Sequence, residues 1–359
     1  MDVYLEPIYR WYSMNRRDLP WRKTTDPYKI WISEIILQQT RVTQGIGYYL
    51  RFIDHFPDVQ HLAKAHEDKV LKLWQGLGYY SRARNLHASA KYIWKELDGK
   101  FPDTYSKILK LKGVGPYTAA AIASIAFDQS FPAIDGNIYR IFSRYFGIST
   151  PIDSGKGKKE IAEIAKKLMP PKNAGFHNQA LMEFGALQCI PKSPDCNCCP
   201  VQPNCYAANH NKAAELPVKI KKTKQTQRFF YYYFIKYKHF TYLEKRTKND
   251  IWRNLYQFPL FESGKNLSEI EILSDNNLPF PSKCNLNVKS VSAQKKHILS
   301  HQVIFARLIH VEIKNANCLG EHFIQVNQKD IFTFAVPRLV ERFIKELDLD
   351  EKMYNRDDK

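Results

Sequence analysis

Four cysteines in the middle of the chain restrict what it can fold into more than any other feature. Of the seven cysteines, five lie between residues 189 and 205, whereas disulfide scaffolds distribute their cysteines along a short secreted chain. Four of the five follow the spacing Cys-x6-Cys-x2-Cys-x5-Cys, at Cys189, Cys196, Cys199 and Cys205. A loop with this spacing predicts a metal centre with four thiolate ligands.

The spacing favours an iron–sulfur cluster. Four thiolates are the usual ligand set of a [4Fe–4S] cluster. Structural zinc is the main alternative, but zinc sites commonly place their ligands in two short-spaced pairs separated by a longer segment, and the chain lacks that pairing here. Cys198 could replace Cys199 as a ligand, and we interpret it as a bystander. Cys284 and Cys318 stand apart, and each is interpreted as a small buried apolar residue.

Charge narrows the class of partner. Lys and Arg number 54 against 36 Asp and Glu, so the formal net charge is +18. This excess favours a polyanionic partner over a basic surface kept for solubility or for anionic lipid. The chain has no apolar run near the roughly 18 residues of a membrane helix, and residues 1–14 contain no signal-like apolar run. We therefore expect a cytoplasmic protein without a membrane partner.

Sequence patterning divides the chain into domains. As far as about residue 208, apolar residues mostly recur at helical spacing, which predicts an all-α domain. Residues 219–228 carry five basic residues and no acid, as linkers often do. Aromatic and β-branched runs follow at 229–237, 239–245, 255–262 and 301–313, and a helical pattern at 337–347. The predicted divisions are a helical domain at 1–215, a basic linker at 216–228, a smaller α+β domain at 229–347 and a charged tail at 348–359.

A Gly-x-Gly turn lies between an apolar helix end and an alanine-rich helix. Gly113, Val114 and Gly115 form this turn, and Pro116 suits the first turn of the next helix. Glycines allow a tight turn with accessible N–H groups, and a helix N-terminus attracts phosphate. An ordinary glycine helix cap is the alternative. The motif indicates a phosphate-binding hairpin only together with the residues that follow it.

An aspartate beside a glycine interrupts the apolar helices beyond this hairpin. Asp135 precedes Gly136 and Asn137, and alone it would be interpreted as a helix N-cap. In this order, the hairpin, the aspartate turn and the cysteine quartet resemble the endonuclease III superfamily of helix-hairpin-helix DNA glycosylases. The resemblance implies a helix-hairpin-helix lobe at about residues 21–130, and an iron–sulfur lobe formed by residues 1–20 and 131–215.

Further segments are similar to the MutY-like adenine DNA glycosylases of that superfamily. They are residues 19–22, 31–42 and 75–82, and a C-terminal module that contains Leu299, Ser300 and His301. Superfamily members that cut the strand use a lysine where this chain has Tyr117, and a phenol cannot form a Schiff base. The resemblance therefore implies a monomeric bacterial hydrolase of base excision repair, with a Nudix-like second domain. Its partner would be double-stranded DNA containing adenine opposite 8-oxoguanine or guanine.

The resemblance also assigns catalytic roles. Adenine leaves readily only when a ring nitrogen is protonated, which requires a carboxylic acid in an apolar setting. Glu34 has apolar neighbours in sequence; alone it would be interpreted as a solvent-facing helix residue, and the resemblance identifies it as the acid. Asp135 would stabilise the sugar cation or attack it, and Tyr117 and Asn137 would line the same pocket. The residues expected to contact the flipped adenine are Arg17, Trp21, Leu37 and Gln179.

A third set of residues is expected to contact DNA. Extruding a base costs about a few kcal/mol and leaves a gap in the duplex. Gln39, Leu77 and Tyr79 match the family's intercalating residues, with a helix-face amide and loop packing as the alternatives. The hairpin Gly113–Gly115 would bind phosphate, and Leu299, Ser300 and His301 would probe the 8-oxoguanine.

Three other functions stay open. The chain could be a thymine-mismatch or oxidised-pyrimidine glycosylase, and the C-terminal module weighs against this. It could be a non-catalytic iron–sulfur DNA-binding protein, and the presence of both Glu34 and Asp135 weighs against that. The C-terminal domain could hydrolyse nucleotides, but residues 243–275 lack the Arg-Glu-x-x-Glu-Glu box that would hold magnesium.

Overall fold

A computed structural model describes residues 2–220, 225–274, 277–280, 284 and 286–347. The chain groups into two compact units: Met1–Lys64 with Asn85–Lys221, and Ala65–Arg84 with Lys222–Lys359. The predicted tail, residues 348–359, and residues 221–224 of the predicted linker lie outside the described residues. The domain boundaries stay predictions.

The N-terminal half is helical, as predicted. Its helices are α1 (Asp2–Asn15), α2 (Pro27–Leu37), α3 (Val42–His55), α4 (Val59–Lys64), α5 (Glu67–Leu73), α6 (Ser81–Glu96), α7 (Tyr105–Ile108), α8 (Pro116–Phe127), α9 (Gly136–Phe146), α10 (Gly155–Leu168), α11 (Ala174–Leu187) and α12 (Tyr206–Asn209). Short 3-10 turns occur at Pro20–Arg22 and Gln202–Asn204. Among the described helices, none combines the length and the apolar character that crossing a bilayer requires.

Helix α2 lies in the core of the first unit. It begins after Asp26, whose side chain accepts a hydrogen bond from the Tyr28 N–H at 2.9 Å, and Pro27 occupies its first turn. Its side chains from Ile30 to Ile36 are all buried, as expected for a helix that is apolar on nearly every side. Since α2 packs on the alanine-rich helix α8, its one carboxylate, Glu34, is enclosed.

Close packing of α9 against α11 positions a second carboxylate. The side chain of Asp135 caps α9. A Cβ at Gly185 on α11 would lie 2.5 Å from the Asn137 Cβ, so only glycine permits this approach. The two helices therefore hold the first turn of α9 next to α11.

The second unit contains two β-sheets, which together with its helices confirms the predicted α+β class. The strands are β1 (Thr226–Lys236), β2 (Phe240–Lys245), β3 (Tyr256–Gln257), β4 (Leu260–Ser263), β5 (Leu286–Val291), β6 (Lys295–Ile298), β7 (Gln302–Ile313) and β8 (Ile324–Asn327), and the helices are α13 (Glu269–Ile272) and α14 (Arg338–Glu346). Further 3-10 turns occur at Ala316–Cys318 and Gln328–Thr333. In the larger sheet β1 pairs in parallel with β7, and β4, β5 and β6 pair antiparallel at the flanks. The smaller sheet has the order β3-β2-β8.

Strand β1 is buried on both faces, which explains its unbroken run of aromatic residues. Phe230, Tyr232 and Phe234 belong to one hydrophobic cluster, which α14 covers. Tyr231 and Tyr233 belong to a second cluster. Because side chains alternate across a strand, a strand with a core on each face needs apolar residues at every position.

The second unit differs from the sequence expectation at several points. Strand β1 begins at Thr226, inside the segment with linker-like composition. The predicted run 255–262 is divided into β3 and β4 around Pro259, which has no N–H to donate to a sheet. Cys284 and Cys318 are not isolated residues but form a disulfide, with their Cα atoms 5.3 Å apart. Our interpretation of each as a separate buried residue is wrong, since residues 34 positions apart gave no local signal of pairing.

Candidate active site

A cavity of about 220 Å³ opens in the first unit. Its walls come from the α1–α2 connection, α2, α8, α9 and α11. The residues predicted to act on adenine all line it, namely Arg17, Trp21, Glu34, Leu37, Tyr117, Asp135, Asn137 and Gln179. The fold therefore brings together eight positions that are spread over more than 160 residues of sequence.

Glu34 is the buried acid of the cavity. Its side chain is 7% exposed, and burial raises its pKa from 4.5 to about 7. The negative charge of Asp135 raises this pKa further, whereas a hydrogen bond with Tyr117 and the charge of Arg22 lower it. A carboxylic acid in this environment carries its proton near neutral pH.

Asp135 is held by the first turn of α9. Its Oδ1 accepts hydrogen bonds from the N–H groups of Asn137 and Ile138, both at 2.9 Å, and its Oδ2 accepts one from the Asn137 side chain at 2.6 Å. Burial outweighs these bonds and the charge of Arg140, so the pKa of this carboxyl is raised. The helix N-terminus also favours a negative charge there. These contacts fix the orientation of Asp135 and oppose the effect of burial on its pKa.

Tyr117 lies in the first turn of α8, the second helix of the hairpin motif, and lines the cavity. Its hydroxyl hydrogen-bonds Glu34 and lies 3.4 Å from the Met182 sulfur. Burial raises the pKa of this phenol well above 10, and the charges of Glu34 and Asp135 add to the effect. Tyr117 is therefore a neutral phenol beside both carboxyls of the cavity.

Two arginines share one carboxylate in the cavity wall. Glu183, 1% exposed, accepts hydrogen bonds from Arg17 Nε at 2.9 Å and from both terminal nitrogens of Arg22 at 2.8 Å. The predicted adenine contact Arg17 is thus paired with Glu183. Gln179, one helical turn earlier on α11, accepts a hydrogen bond from the Tyr12 hydroxyl at 3.0 Å, so its amide N–H₂ remains to donate.

Arg140 connects the cavity to the cysteine loop. Its guanidinium donates to Asn137 Oδ1 at 2.9 Å, to the Gly185 carbonyl at 2.5 Å and to the Cys189 carbonyl at 2.7 Å. The side chain is largely buried. Arg140 therefore joins the first turn of α9 to the residue that begins the cysteine quartet.

The four predicted cysteine ligands line a second cavity. Cys189, Cys196, Cys199 and Cys205 face it together with apolar side chains, whereas Cys198 is exposed. Burial raises the pKa of Cys199 to about 12, and the other three thiols add to this because thiolates repel one another. A cationic metal group between four thiols removes that repulsion, so the donor set fits such a group. Among the described residues, no three His, Cys, Asp or Glu side chains are arranged to hold a single metal ion.

Comparisons with known proteins agree with this geometry. The profile described as "HhH-GPD superfamily base excision DNA repair protein" matches residues 32–171, and the NUDIX domain profile matches residues 230–346. The adenine DNA glycosylase of Buchnera aphidicola subsp. Schizaphis graminum is 35% identical over 345 residues, which cover 96% of this chain and 98% of that protein. The chain belongs to the adenine DNA glycosylase family. It is therefore an enzyme of the hydrolase class.

Other relatives cover mainly the helical half. The adenine DNA glycosylase of Rattus norvegicus is 44% identical over 216 residues, covering 58% of this chain and 42% of that protein. A thermostable thymine-DNA glycosylase structure matches with a TM-score of 0.55 and 31% identity over 58% of this chain and 96% of its own. A non-covalent endonuclease III–DNA complex matches with a TM-score of 0.51 and 19% identity, covering 58% and 94%, and shows the fold alone.

In this adenine DNA glycosylase family member, the hairpin predicted to bind phosphate is a tight turn that requires glycine. Gly113 has a φ of +81°, and a Cβ there would lie 2.7 Å from the Asn85 Cβ, so glycine is required. Gly115 precedes α8, and Pro116 occupies the first turn. Val114 is buried. Gln39 is exposed with a φ of +57°, at the turn that follows α2.

The remaining predicted DNA contacts belong to the second unit. Tyr79 is 47% exposed, whereas Leu77 is 8% exposed. The Tyr79 hydroxyl lies 2.5 Å from the Ser300 Oγ, at the turn between β6 and β7. His301 beside it is exposed, and Leu299 packs on the core that α14 covers.

Sequence reasoning missed four residues of this region. Arg22, Met182 and Glu183 line the cavity, and Arg140 connects it to Cys189. Met182 and Glu183 follow Gln179 by three and four positions, the spacing that places side chains on one helix face. Once Gln179 was assigned to the pocket, helical periodicity could have identified them.

Proposed function

We propose that this enzyme hydrolyses the N-glycosidic bond of adenine opposite 8-oxoguanine or guanine in double-stranded DNA. The observation that carries the proposal is the pair of carboxyls in one cavity, with Glu34 protonated near neutral pH and Asp135 fixed at a helix N-terminus. Burial raises the pKa of both carboxyls, but the three hydrogen bonds to Asp135 favour its anion.

Glu34 supplies the acid step. Burial raises its pKa to about 7, so a large share of molecules carries the proton near neutral pH. Transfer of this proton to a ring nitrogen of adenine makes the base a better leaving group. The Tyr117 hydroxyl hydrogen-bonds Glu34 and thereby holds the carboxyl in place.

Asp135 acts as the bond breaks. Positive charge develops on the sugar, and a fixed carboxylate stabilises it without reorganising. Water then adds to C1′, and its proton passes to Glu34, which the first step left ionised. Because Tyr117 stands where a lysine would form a Schiff base, the products are free adenine and an abasic site in an uncut strand.

The acid lies inside the protein fold, so the adenine must leave the duplex to reach it. Several exposed residues suit the contacts that this requires. Gln39 and Tyr79 are exposed on turns, whereas Leu77, the third proposed intercalating residue, is buried. The glycine hairpin offers N–H groups to phosphate. Tyr79 hydrogen-bonded to Ser300, with Leu299 and His301 as neighbours, would contact the base opposite adenine.

The cysteine quartet would hold a [4Fe–4S] cluster. Convergence of four thiols on one cavity supports this assignment. When bound, the cluster supplies a rigid cross-link for the loop. Arg140 then holds Asn137 and the Cys189 carbonyl in a fixed relation.

Single-turnover excision assays on a panel of duplexes test the proposal. The panel pairs adenine with 8-oxoguanine, guanine or thymine, and adds thymine opposite guanine and an oxidised pyrimidine opposite guanine. We expect release of adenine opposite 8-oxoguanine and guanine, with strand breaks visible only after alkali treatment. The similarity to a thymine-DNA glycosylase makes thymine the second candidate, and release of thymine without adenine would overturn the proposal.

A further inference from the structure

The pairing of Glu183 with two arginines has no role in the chemistry described so far. Its carboxylate accepts the backbone N–H and Nε of Arg17, both at 2.9 Å, and Nη1 and Nη2 of Arg22 at 2.8 Å. The Glu183 side chain is 1% exposed, compared with 32% for Arg17 and 14% for Arg22. Since all three line the cavity with Glu34, the cluster is part of its wall.

The cluster itself has one unbalanced positive charge, because the guanidiniums of Arg17 and Arg22 share the single carboxylate of Glu183. Glu183 is firmly ionised, since its bonds to Arg17 and Arg22 outweigh burial and lower its pKa to about 2. Tyr12 lies beside the cluster, and the guanidinium of Arg16 lies against the Tyr12 ring. The groups that act on Glu34 are Tyr117, Asp135 and Arg22. Arg22 therefore connects the cluster to the acid.

We propose that Glu183 is a positioning residue that fixes Arg17 and Arg22 against the cavity and limits the positive charge that Glu34 experiences. The inference rests on the proposed function of Glu34. With the carboxylate present, the cluster of Arg17, Arg22 and Glu183 carries one net positive charge. Without it, two guanidiniums lie side by side, and the uncompensated Arg22 favours the ionised, inactive form of the acid.

The arrangement also bears on base recognition. Arg17 binds the Glu183 carboxylate through Nε and Nη2. Its third guanidinium nitrogen, Nη1, therefore points away from Glu183. Gln179 accepts from Tyr12 through its oxygen and so offers N–H groups. Donors at both positions suit the ring-nitrogen acceptors of adenine.

The test is the pH dependence of single-turnover adenine release in charge variants. In Glu183→Gln, we expect the high-pH limb, where Glu34 loses its proton, to move down by about one pH unit. This corresponds to a roughly tenfold lower rate on that limb. Arg17→Gln and Arg22→Gln each reduce the charge of the cluster to zero, so this high-pH limb should move to higher pH. The double variant Glu183→Gln/Arg22→Gln restores one net charge, and its limb should return to the wild-type position.

Two controls distinguish an effect of the local charge on Glu34 from an effect of the substitution on folding. Glu215→Gln changes the net charge equally, but its carboxylate lies in an exposed pair with Lys212, and its limb should match wild type. If Glu183→Gln fails to fold, as judged by circular dichroism, the two arginine variants decide through their upward shifts. A limb that stays fixed in all charge variants would overturn the proposal. Failure of the proposed function is distinct, because wild type would then release no adenine or Glu34→Gln would stay active.

Discussion

The two cavities of the first unit share the helices α9 and α11 and differ in almost everything else. Asp135, Asn137 and Glu183 line one of them. Ile141 and Phe184, only a few residues further along the same helices, line the other together with four cysteines. The first contains ionised and proton-carrying side chains, and the second is apolar apart from its thiols and a few polar neighbours.

This difference shows how one helix pair supports two kinds of chemistry. The first N–H groups of α9 have no acceptor within the helix, and the Asp135 carboxylate accepts two of them. One to two turns later the backbone is self-satisfied, and side chains alone determine the surroundings. Arg140 lies between the two regions and bonds to both. We therefore expect changes in the first cavity to alter the reaction and changes in the second to alter the metal content first.

The largest expected effect is that of Glu34→Gln, because it removes the proton donor. The single-turnover rate on adenine opposite 8-oxoguanine should fall by about a thousandfold or more, while affinity for the duplex, measured by fluorescence anisotropy, stays close to wild type. Glu6→Gln, at an exposed position on α1, is the matched control. Undiminished turnover in Glu34→Gln would remove this residue from the mechanism.

Asp135→Asn should have the next largest effect. The amide can still cap α9, but it carries no charge, so the developing sugar cation is stabilised less. We expect the rate to fall by about a hundredfold with little change in the circular dichroism spectrum. A variant as active as wild type would indicate that Asp135 is only a helix cap.

The pH dependence of the wild-type reaction rate tests whether the first cavity contains a proton donor. Glu34 is active in its protonated form, so the rate should be flat below its pKa of about 7. Above that pH, the rate should fall by about tenfold for each further unit. The measurement is the single-turnover rate from pH 5.5 to 9. A rate that rises with pH through 7 would mean that the group acts first as a base.

The smallest effect on the reaction itself is expected in the cysteine loop. Cys199→Ser should lose the visible absorbance and the iron of a [4Fe–4S] cluster, with a lower unfolding temperature and a several-fold lower rate. Cys198→Ser, one residue away and exposed, is the control and should keep all three. If Cys199→Ser kept its iron and Cys198→Ser lost it, Cys198 would be the ligand and Cys199 the bystander.

The sequence predicted one class of feature well and another poorly. Residues within ordered motifs, such as Glu34 and Asp135, were found because motif spacing and resemblance identify positions directly. Glu183 was missed, since a buried glutamate on a helix has no local signature until its arginine partners, some 160 residues away, are known. The pairing of Cys284 with Cys318 was missed for the same reason.

The strands also divide into those with a recognisable local pattern and those without one. Strand β1 could be predicted from its aromatic run, because a strand that is buried on both faces has apolar residues at successive positions. Strand β5, with mostly exposed side chains, has no apolar alternation to detect, and its place in the sheet is determined by hydrogen bonds to β7. Long-range pairing of this kind is not encoded in a local pattern.

The segment 65–84 has a consequence for protein engineering. It lies within the residues that match the helical family profile, yet it clusters with the C-terminal unit. Asp68 accepts hydrogen bonds from Lys245 at 2.7 Å and Tyr256 at 2.9 Å, and the Tyr80 hydroxyl donates to the Val336 carbonyl at 3.3 Å. A fragment cut after residue 220 would keep this segment and lose those partners. Domain swaps with relatives should therefore exchange residues 65–84 together with the C-terminal half.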